Sequence, residues 1–320
     1  MPDCHSQPLV SIVIPAWNAA DFLPATLETV FAQTWQPCEI IVVDDGSTDR
    51  TGQCLAEYGD RITVVSLTNS GGPSRPRNEG IKRSRGEFIA FFDSDDLMEA
   101  DKLSTAMEVF AAHPDVDLVC SNFRSIDMAD QLIDDDYLAE YRDFRQDLQP
   151  SSVASTGLLP GAAAFVNLLR ANFVGTSSVV CRRDLFDKVG PFIEEMKNSD
   201  DVDMWRRIAG NGHDFAFIDR VLHSYRINPD GISSRGARRI PAMIRGLENQ
   251  VSLCQNVEDR KYIREKVQSL HLERAWAFRQ EGEWDQAFQS YRAALAIGWS
   301  LRGAVGLLKT YVIAPKRDKR

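Results

Sequence analysis

Acidic residues gather at two places in this chain where carboxylates could do chemistry. The apolar run Phe88-Ile89-Ala90-Phe91-Phe92 leads into Asp93-Ser94-Asp95-Asp96, and Glu39-Ile40-Ile41-Val42-Val43 leads into Asp44-Asp45-Gly46-Ser47-Thr48-Asp49. Several carboxylates at one spot are costly unless a cation or hydrogen-bond donors meet them. Asp93 and Asp95, two residues apart just past an apolar run, can face a divalent cation or a ribose. Magnesium or manganese takes one or two carboxylates and completes its shell with phosphate oxygens and water. The competing reading is that Asp95 or Asp96 caps a following helix. An isolated Asp-x-Asp does not separate the two readings; the second acidic run favours the first. Pro15-Ala16-Trp17-Asn18 ends a further apolar run.

The elements that must position these groups alternate between two periods. Val10 to Ile14, Glu39 to Val43, Ile62 to Ser66, Phe88 to Phe92 and Val116 to Cys120 read as short buried strands. Between them, 20–33, 51–58, 73–85 and 101–112 read as helices. This βαβα order predicts an α/β fold: a mostly parallel sheet flanked by helices. Ligands of such sheets bind beyond the carboxyl ends of the strands, where the acidic runs lie. From 126 to 160 the periodicity lapses, as in lids and binding loops. Ser177 to Cys181, Phe215 to Ile218 and Val221 to Tyr225 read as strands, and 201–209 as a helix. Beyond about residue 235 the pattern is helical. Ala275 to Ile297 resembles one tetratricopeptide-type hairpin, with Gly282 at the turn and Ala287, Tyr291 and Leu295 at packing positions; a lone unit is a helical cap or a docking surface, not an array.

Composition narrows the class. With 320 residues and 43% hydrophobic content the chain can bury a sizeable core. A formal net charge of -9 disfavours nucleic acid as a partner. None of the six cysteines forms a Cys-x-x-Cys pair, which disfavours a zinc cluster. The polar start lacks an apolar leader and no run is long enough to span a bilayer, so a cytoplasmic location with reduced thiols is expected. The basic end, Lys316-Arg317-Asp318-Lys319-Arg320, allows a peripheral contact with anionic lipid at the inner membrane face.

Taken in order, Val10 to Asn18, Ile40 to Asp49, Pro76-Arg77-Asn78-Glu79-Gly80-Ile81 and Gly86 to Asp96 resemble the nucleotide-binding half of glycosyltransferase family 2, inverting enzymes with the GT-A fold. The likeness is strong over about the first 120 residues and moderate over 173–234. It implies a GT-A domain over 1–234, with a nucleotide-binding half (1–122) and an acceptor half (123–234); the α-helical C-terminal extension (235–320), read from its pattern, is not covered by the likeness. It also implies roles. Asp45, with Asp44 beside it, would accept from the imide N–H of a uracil-type base. Pro15 and Trp17 would line that base, Trp17 by stacking; ordinary core packing is the alternative for Trp17. Asp93, with Ser94 beside it, would lie at the ribose, and Asp95 would be the main metal ligand for manganese or magnesium. Arg77 would approach the diphosphate, unless it is only a surface arginine.

An acceptor hydroxyl is a poor nucleophile and needs a carboxylate to take its proton. Asn198-Ser199-Asp200-Asp201-Val202-Asp203-Met204-Trp205 resembles the family's acidic pair ahead of an Asp-x-Trp helix. That assigns the base to Asp201, with Asp200 as the fallback and helix capping as the competing reading. Tyr225-Arg226-Ile227-Asn228 stands where many relatives carry Tyr-Arg-x-His, so a third protein ligand for the metal is missing from the pattern. Ser233 and Arg235 are candidates for a loop over the diphosphate. His5, His113, His213 and His271 read as surface residues. The function expected is transfer from a nucleotide-sugar, a UDP-sugar, to a glycan or lipid-linked acceptor in polysaccharide biosynthesis. Nucleotidyl transfer lacks its Gly-rich loop, and a dehydrogenase lacks Gly-x-Gly-x-x-Gly after the first strand. A non-catalytic sugar-binding scaffold that works through its helical tail is the alternative.

Overall fold

A computed structural model of the chain describes residues 7–229, 231–232 and 239–313. His5, Ser233, Arg235 and the basic segment 316–320 lie outside the described residues. The chain divides into two compact units, Met1–Pro229 and Asp230–Arg320.

Unit one begins with β1 (Val10–Ala16), α1 (Leu23–Phe31), β2 (Cys38–Asp44), α2 (Thr51–Ala56), β3 (Thr63–Ser66), α3 (Ser74–Arg83) and β4 (Phe88–Phe91). The strands β3-β2-β1-β4 lie parallel in that order. Alternation along β1 sets the two faces of the sheet. Ile12 and Ile14 join the core that α1 covers with Leu23 and Leu27. Val13 turns to the other face, where α3 approaches so closely that a Cβ on Gly80 would sit 2.2 Å from its Cγ1. The strand continues through Pro15, because its pairing with β4 ends at Val13 and the missing N–H is not needed there.

The second half of the unit is β5 (Leu97–Met98), α4 (Lys102–Ala112), β6 (Val116–Ile126), β7 (Leu132–Asp134), α5 (Asp143–Gln146), β8 (Gln149–Pro150), β9 (Thr156–Leu159), α6 (Gly161–Arg170), β10 (Val180–Arg182), α7 (Leu185–Val189), α8 (Asp200–Gly210) and β11 (Asp214–Arg226). Here the sheet is mixed: β10 runs antiparallel between β4 and β6, while β6 and β11 are parallel. The sequence expectation changes at three points. Thr176–Ser178 is a 3₁₀ turn, and the strand starts only at Val180. The two strands expected over 215–225 are one strand, β11, with register shifts on either side of Val221. The aperiodic stretch 126–160 holds β7, α5, β8 and β9; these elements are two to four residues long, too short to show a period. Buried Phe144 stacks on Phe173 with centroids 4.3 Å apart and anchors the stretch.

Unit two is α9 (Ile240–Glu248), α10 (Val257–Gln280), α11 (Trp284–Ile297) and α12 (Leu301–Ile313). α10 and α11 form the expected hairpin. Gly282 turns it at φ +78, Ala287 and Tyr291 are buried, and Leu295 is half-buried. His113, His213 and His271 are half-buried rather than surface residues, because two of them tie elements together. His113 Nε2 lies 2.8 Å from Ser151 Oγ, and His213 Nδ1 lies 2.8 Å from Asp117. The five described cysteines are unbridged.

Candidate functional site

The polar groups converge at the carboxyl ends of β1, β2 and β4. The first two ends are stitched by the loops that leave them. Asn18 takes a left-handed φ of +49; its amide N–H donates to Ser47 Oγ (2.9 Å) and its Oδ1 accepts from Thr48 N–H (2.8 Å). Asp44 is used within its own turn, accepting from Ser47 N–H at 2.9 Å. Asp45 accepts at both oxygens from Ser70 N–H (3.0 Å) and at one from the Ser70 hydroxyl (2.9 Å), so the carboxylate is fixed in direction. Pro15 is half-buried beside it. Trp17 is 53% exposed, which removes core packing as its purpose. The ends of β2 and β4 flank β1, about 10 Å apart at ordinary strand spacing.

At the end of β4 the backbone of Asp93-Ser94-Asp95-Asp96 is pinned from three sides. Asp93 N–H donates to Ser177 Oγ at 3.0 Å. Thr26 Oγ1 donates to the carbonyls of Ser94 and Asp96. Asp96 is fully buried and accepts from the Arg226 backbone N–H at 2.9 Å. Neither Asp95 nor Asp96 caps a helix: a short strand follows and the next helix starts only at Lys102, so that reading is corrected. Arg226 completes the clamp. Its Nε donates to the Asp95 carbonyl (2.8 Å) and its Nη1 to the Asp127 carbonyl (3.0 Å), with Phe22 under the guanidinium. The carboxylate of Asp95 accepts no hydrogen bond from another described residue. Burial, with Asp93 adjacent, pushes it up to about 6.

Arg77 joins this edge to the acidic pair. It is buried on α3, not a surface arginine, and donates from Nη2 to Asp93 (3.1 Å) and from Nη1 to Asp200 (2.8 Å). Burial works against its charge, but Asp200, Asp93 and Asp201 outweigh that and hold the guanidinium protonated. The motif neighbour Asn78 explains how α3 meets the distant segment before α8. Its amide donates to Phe192 O (2.9 Å) and accepts from Phe192 N–H (2.9 Å).

Asp200 and Asp201 occupy the first turn of α8, reached through Ser199 at φ +56. Ser199 makes no side-chain cap, but Asp201 Oδ1 accepts the first-turn Val202 N–H at 2.8 Å. The two acids differ. Asp200 is 2% exposed and committed to Arg77; burial pushes it up to about 6 although Arg77 pulls the other way. Asp201 is only half-buried and accepts from Thr176 Oγ1 at 3.0 Å. The 3₁₀ turn therefore touches both halves of the site, with Thr176 on Asp201 and Ser177 on Asp93. Thr176, Ser177 and Arg226 are the residues that sequence reasoning missed. Tyr225-Arg226 was visible as a motif, but nothing local signals what either end of that turn contacts. Asn228 is half-buried at the end of this region.

Lys102 supports the turn from beneath. Its Nζ donates to the Ser178 carbonyl at 2.9 Å, it is 1% exposed, and burial pushes the amine down to about 7. Between about pH 7 and 10.5 the unfolded chain holds more protons than the folded one, so stability rises with pH across that window. Lys102→Met is expected to raise Tm by several degrees more at pH 6 than at pH 9, measured by calorimetry.

The strand order, the mixed second half and a polar edge at the ends of β1, β2 and β4 are those of the GT-A fold. Crystalline Staphylococcus aureus TarS residues 1–349 in complex with UDP superposes with a TM-score of 0.61 at 20% identity, over 94% of this chain and 88% of that one. Residues 11–167, just under half of the chain, match the profile of glycosyl transferase family 2. Among curated relatives, "Glycosyltransferase GlyG" of Streptococcus pneumoniae is 34% identical over 38% of this chain and 41% of its own length. The Escherichia coli "UDP-Glc:alpha-D-GlcNAc-diphosphoundecaprenol beta-1,3-glucosyltransferase WfgD" is 26% identical over 71% of this chain and 80% of its own. The first of these alignments thus spans about two fifths of the relative's length.

Proposed function

We propose that this protein is an inverting glycosyltransferase that moves a sugar from a UDP-sugar to a glycan or lipid-linked acceptor in cell-surface polysaccharide synthesis. The observation that carries this reading is Arg77, which ties Asp93 on the donor side to Asp200 beside Asp201. Asp45 accepts from the uracil imide, Trp17 and Pro15 line the base, and Asp93 with Ser94 lies at the ribose; Asp44 serves the turn that aims Asp45. UDP in the structural relative and UDP-glucose in the name of the E. coli relative support the choice of nucleotide.

The residues fit a divalent metal of the magnesium or manganese kind. Asp95 is a desolvated carboxylate that accepts from no other described residue, and Asp93 lies two residues away. No group of three or more His, Cys, Asp or Glu among the described residues could cage an ion by itself. That donor set suits a metal that draws its other ligands from diphosphate and water. Such an ion, held by Asp95 and Asp93, would neutralise charge developing on the leaving diphosphate. Asp201 takes the proton of the acceptor hydroxyl while its oxygen attacks the anomeric carbon. The carbon–oxygen bond to the diphosphate breaks as the new one forms, and one such displacement inverts the configuration.

No described helix is long and apolar enough to cross a membrane. The diphosphoundecaprenol in the name of the E. coli relative supports a peripheral position at the inner membrane face. At about a hundredfold excess over Kd, UDP with manganese is expected to raise Tm by about 5–10 °C. Asp95→Ala should abolish that shift. No shift with any nucleoside diphosphate would overturn the reading, and retained biological activity in both Asp95→Ala and Asp201→Asn would replace it with the scaffold alternative.

A further inference from the structure

α12 is built the wrong way round for a helix in water. Toward α10 and α11 it turns Gly303, Gly306 and Thr310, all buried. The approach there is tight: a Cβ on Gly306 would lie 2.3 Å from the Tyr291 ring. Leu307 packs against the same α10–α11 cluster, and the remaining large apolar residues point outward. Leu301, Val305, Leu308 and Val312 follow the i, i+4, i+7, i+11 spacing of one helix stripe, and all four are exposed, Leu301 and Val312 by 67% and 71%. Trp299, Tyr311 and Ile313 extend the exposed surface. The hydrophobic effect puts such side chains outward only where something other than water meets them.

Charge identifies what that is. One flank of the stripe carries Arg302 and Lys309. With Arg279 and Trp276 of α10 and Tyr291 of α11 they line a groove of about 400 Å³. From residue 286 to 320 the sequence has seven basic residues and one acid, in a chain of net charge -9. An apolar stripe with aromatic residues, flanked by cations, matches the acyl–headgroup boundary of an anionic bilayer. At 13 residues the helix is about 20 Å long, too short to cross the hydrocarbon core. A second copy is the poorer fit, since a two-fold contact through this face brings the same cations together.

We infer that α12 lies flat on an anionic membrane surface, its outer stripe in the acyl boundary and Arg279, Arg302 and Lys309 at the lipid phosphates. The inference rests on the proposed lipid-linked or surface-glycan acceptor and supplies the element that brings the protein to it.

The test is flotation of the full chain with phosphatidylcholine vesicles, with and without phosphatidylglycerol. The wild type should float with the anionic vesicles and far less with the neutral ones. The double variant Leu308→Ser/Val312→Ser should lose at least about tenfold in partitioning while keeping its Tm and its UDP-induced shift. Trp299→Phe, a milder change, should remove a vesicle-induced blue shift of tryptophan emission. Arg302→Gln/Lys309→Gln should lose the preference for anionic vesicles. No flotation of the wild type, or unchanged flotation of the serine variant, overturns the inference. So does a serine variant that alters only a concentration-dependent dimer on size exclusion, which would make the occupant a second copy. The UDP shift without vesicles reads the donor site alone. Its loss with flotation intact would sink the transferase reading and leave this one standing, and the converse holds.

Discussion

Asp201→Asn is expected to bind UDP and manganese as the wild type does and to transfer sugar about 10²–10⁴ times more slowly, the usual worth of a positioned general base. The amide keeps the shape of the carboxylate and can still accept from Thr176 Oγ1, now 3.0 Å from one Asp201 oxygen. What it loses is the capacity to take a proton. Single-turnover transfer with saturating donor measures the step directly, and the UDP-induced shift in Tm checks that the donor site is intact. The neighbouring acid behaves differently. Asp200 is buried against Arg77, so it is a poor candidate to reach an acceptor hydroxyl. Unchanged turnover in Asp201→Asn would move the base elsewhere; unchanged turnover in Asp200→Asn would be consistent with this assignment.

Arg77→Met is expected to cost about 3–5 kcal/mol of stability, the penalty for removing one partner of a buried ion pair. Both groups of the Arg77–Asp200 pair are within 5% of full burial, so solvent screening offers little relief. The loss falls on two carboxylates at once, because Arg77 also holds Asp93. Arg77→Lys should recover little, since one ammonium cannot reproduce a planar fork reaching two acids. Pairing Arg77→Met with Asp200→Leu should restore part of the stability by removing the stranded charge, without restoring transfer. The pH dependence has a definite sign. Asp200 in the folded protein titrates above its ordinary value, at about 6, and loss of Arg77 raises it further. The stranded acid protonates readily at low pH, so the deficit of Arg77→Met against wild type should grow between pH 5 and pH 8. Denaturant unfolding at the two pH values measures it; a pH-independent deficit would mean the loss is one of packing against Phe192, whose ring centroid lies 5.6 Å from the guanidinium.

The sequence alone determined the first half of the sheet and the residue types gathered at its edge. Apolar runs, each followed by a polar strand end, mark β1, β2 and β4 and put Asp45, Asp93 and Asp95 just past the carboxyl ends of strands. Those signals are local: burial on both faces of a strand and the turn chemistry after it are written in consecutive residues. The tertiary structure alone decided which group meets which. Arg77 and Asp200 are 123 positions apart, Arg226 and Asp96 130, and no period or spacing encodes such a pairing. The 3₁₀ turn that sets Thr176 on Asp201 and Ser177 on Asp93 reads in sequence as the start of a strand. Thr176-Ser177-Ser178 carries no local signal that separates the two conformations, and packing against β6, β11 and β4 chooses between them. The acidic segment after β4 shows the division most simply. Its composition suits a cation or a sugar, yet that Asp96 accepts from the Arg226 N–H while the Asp95 carboxylate accepts from no other described residue follows from the packing, which is a property of the folded chain.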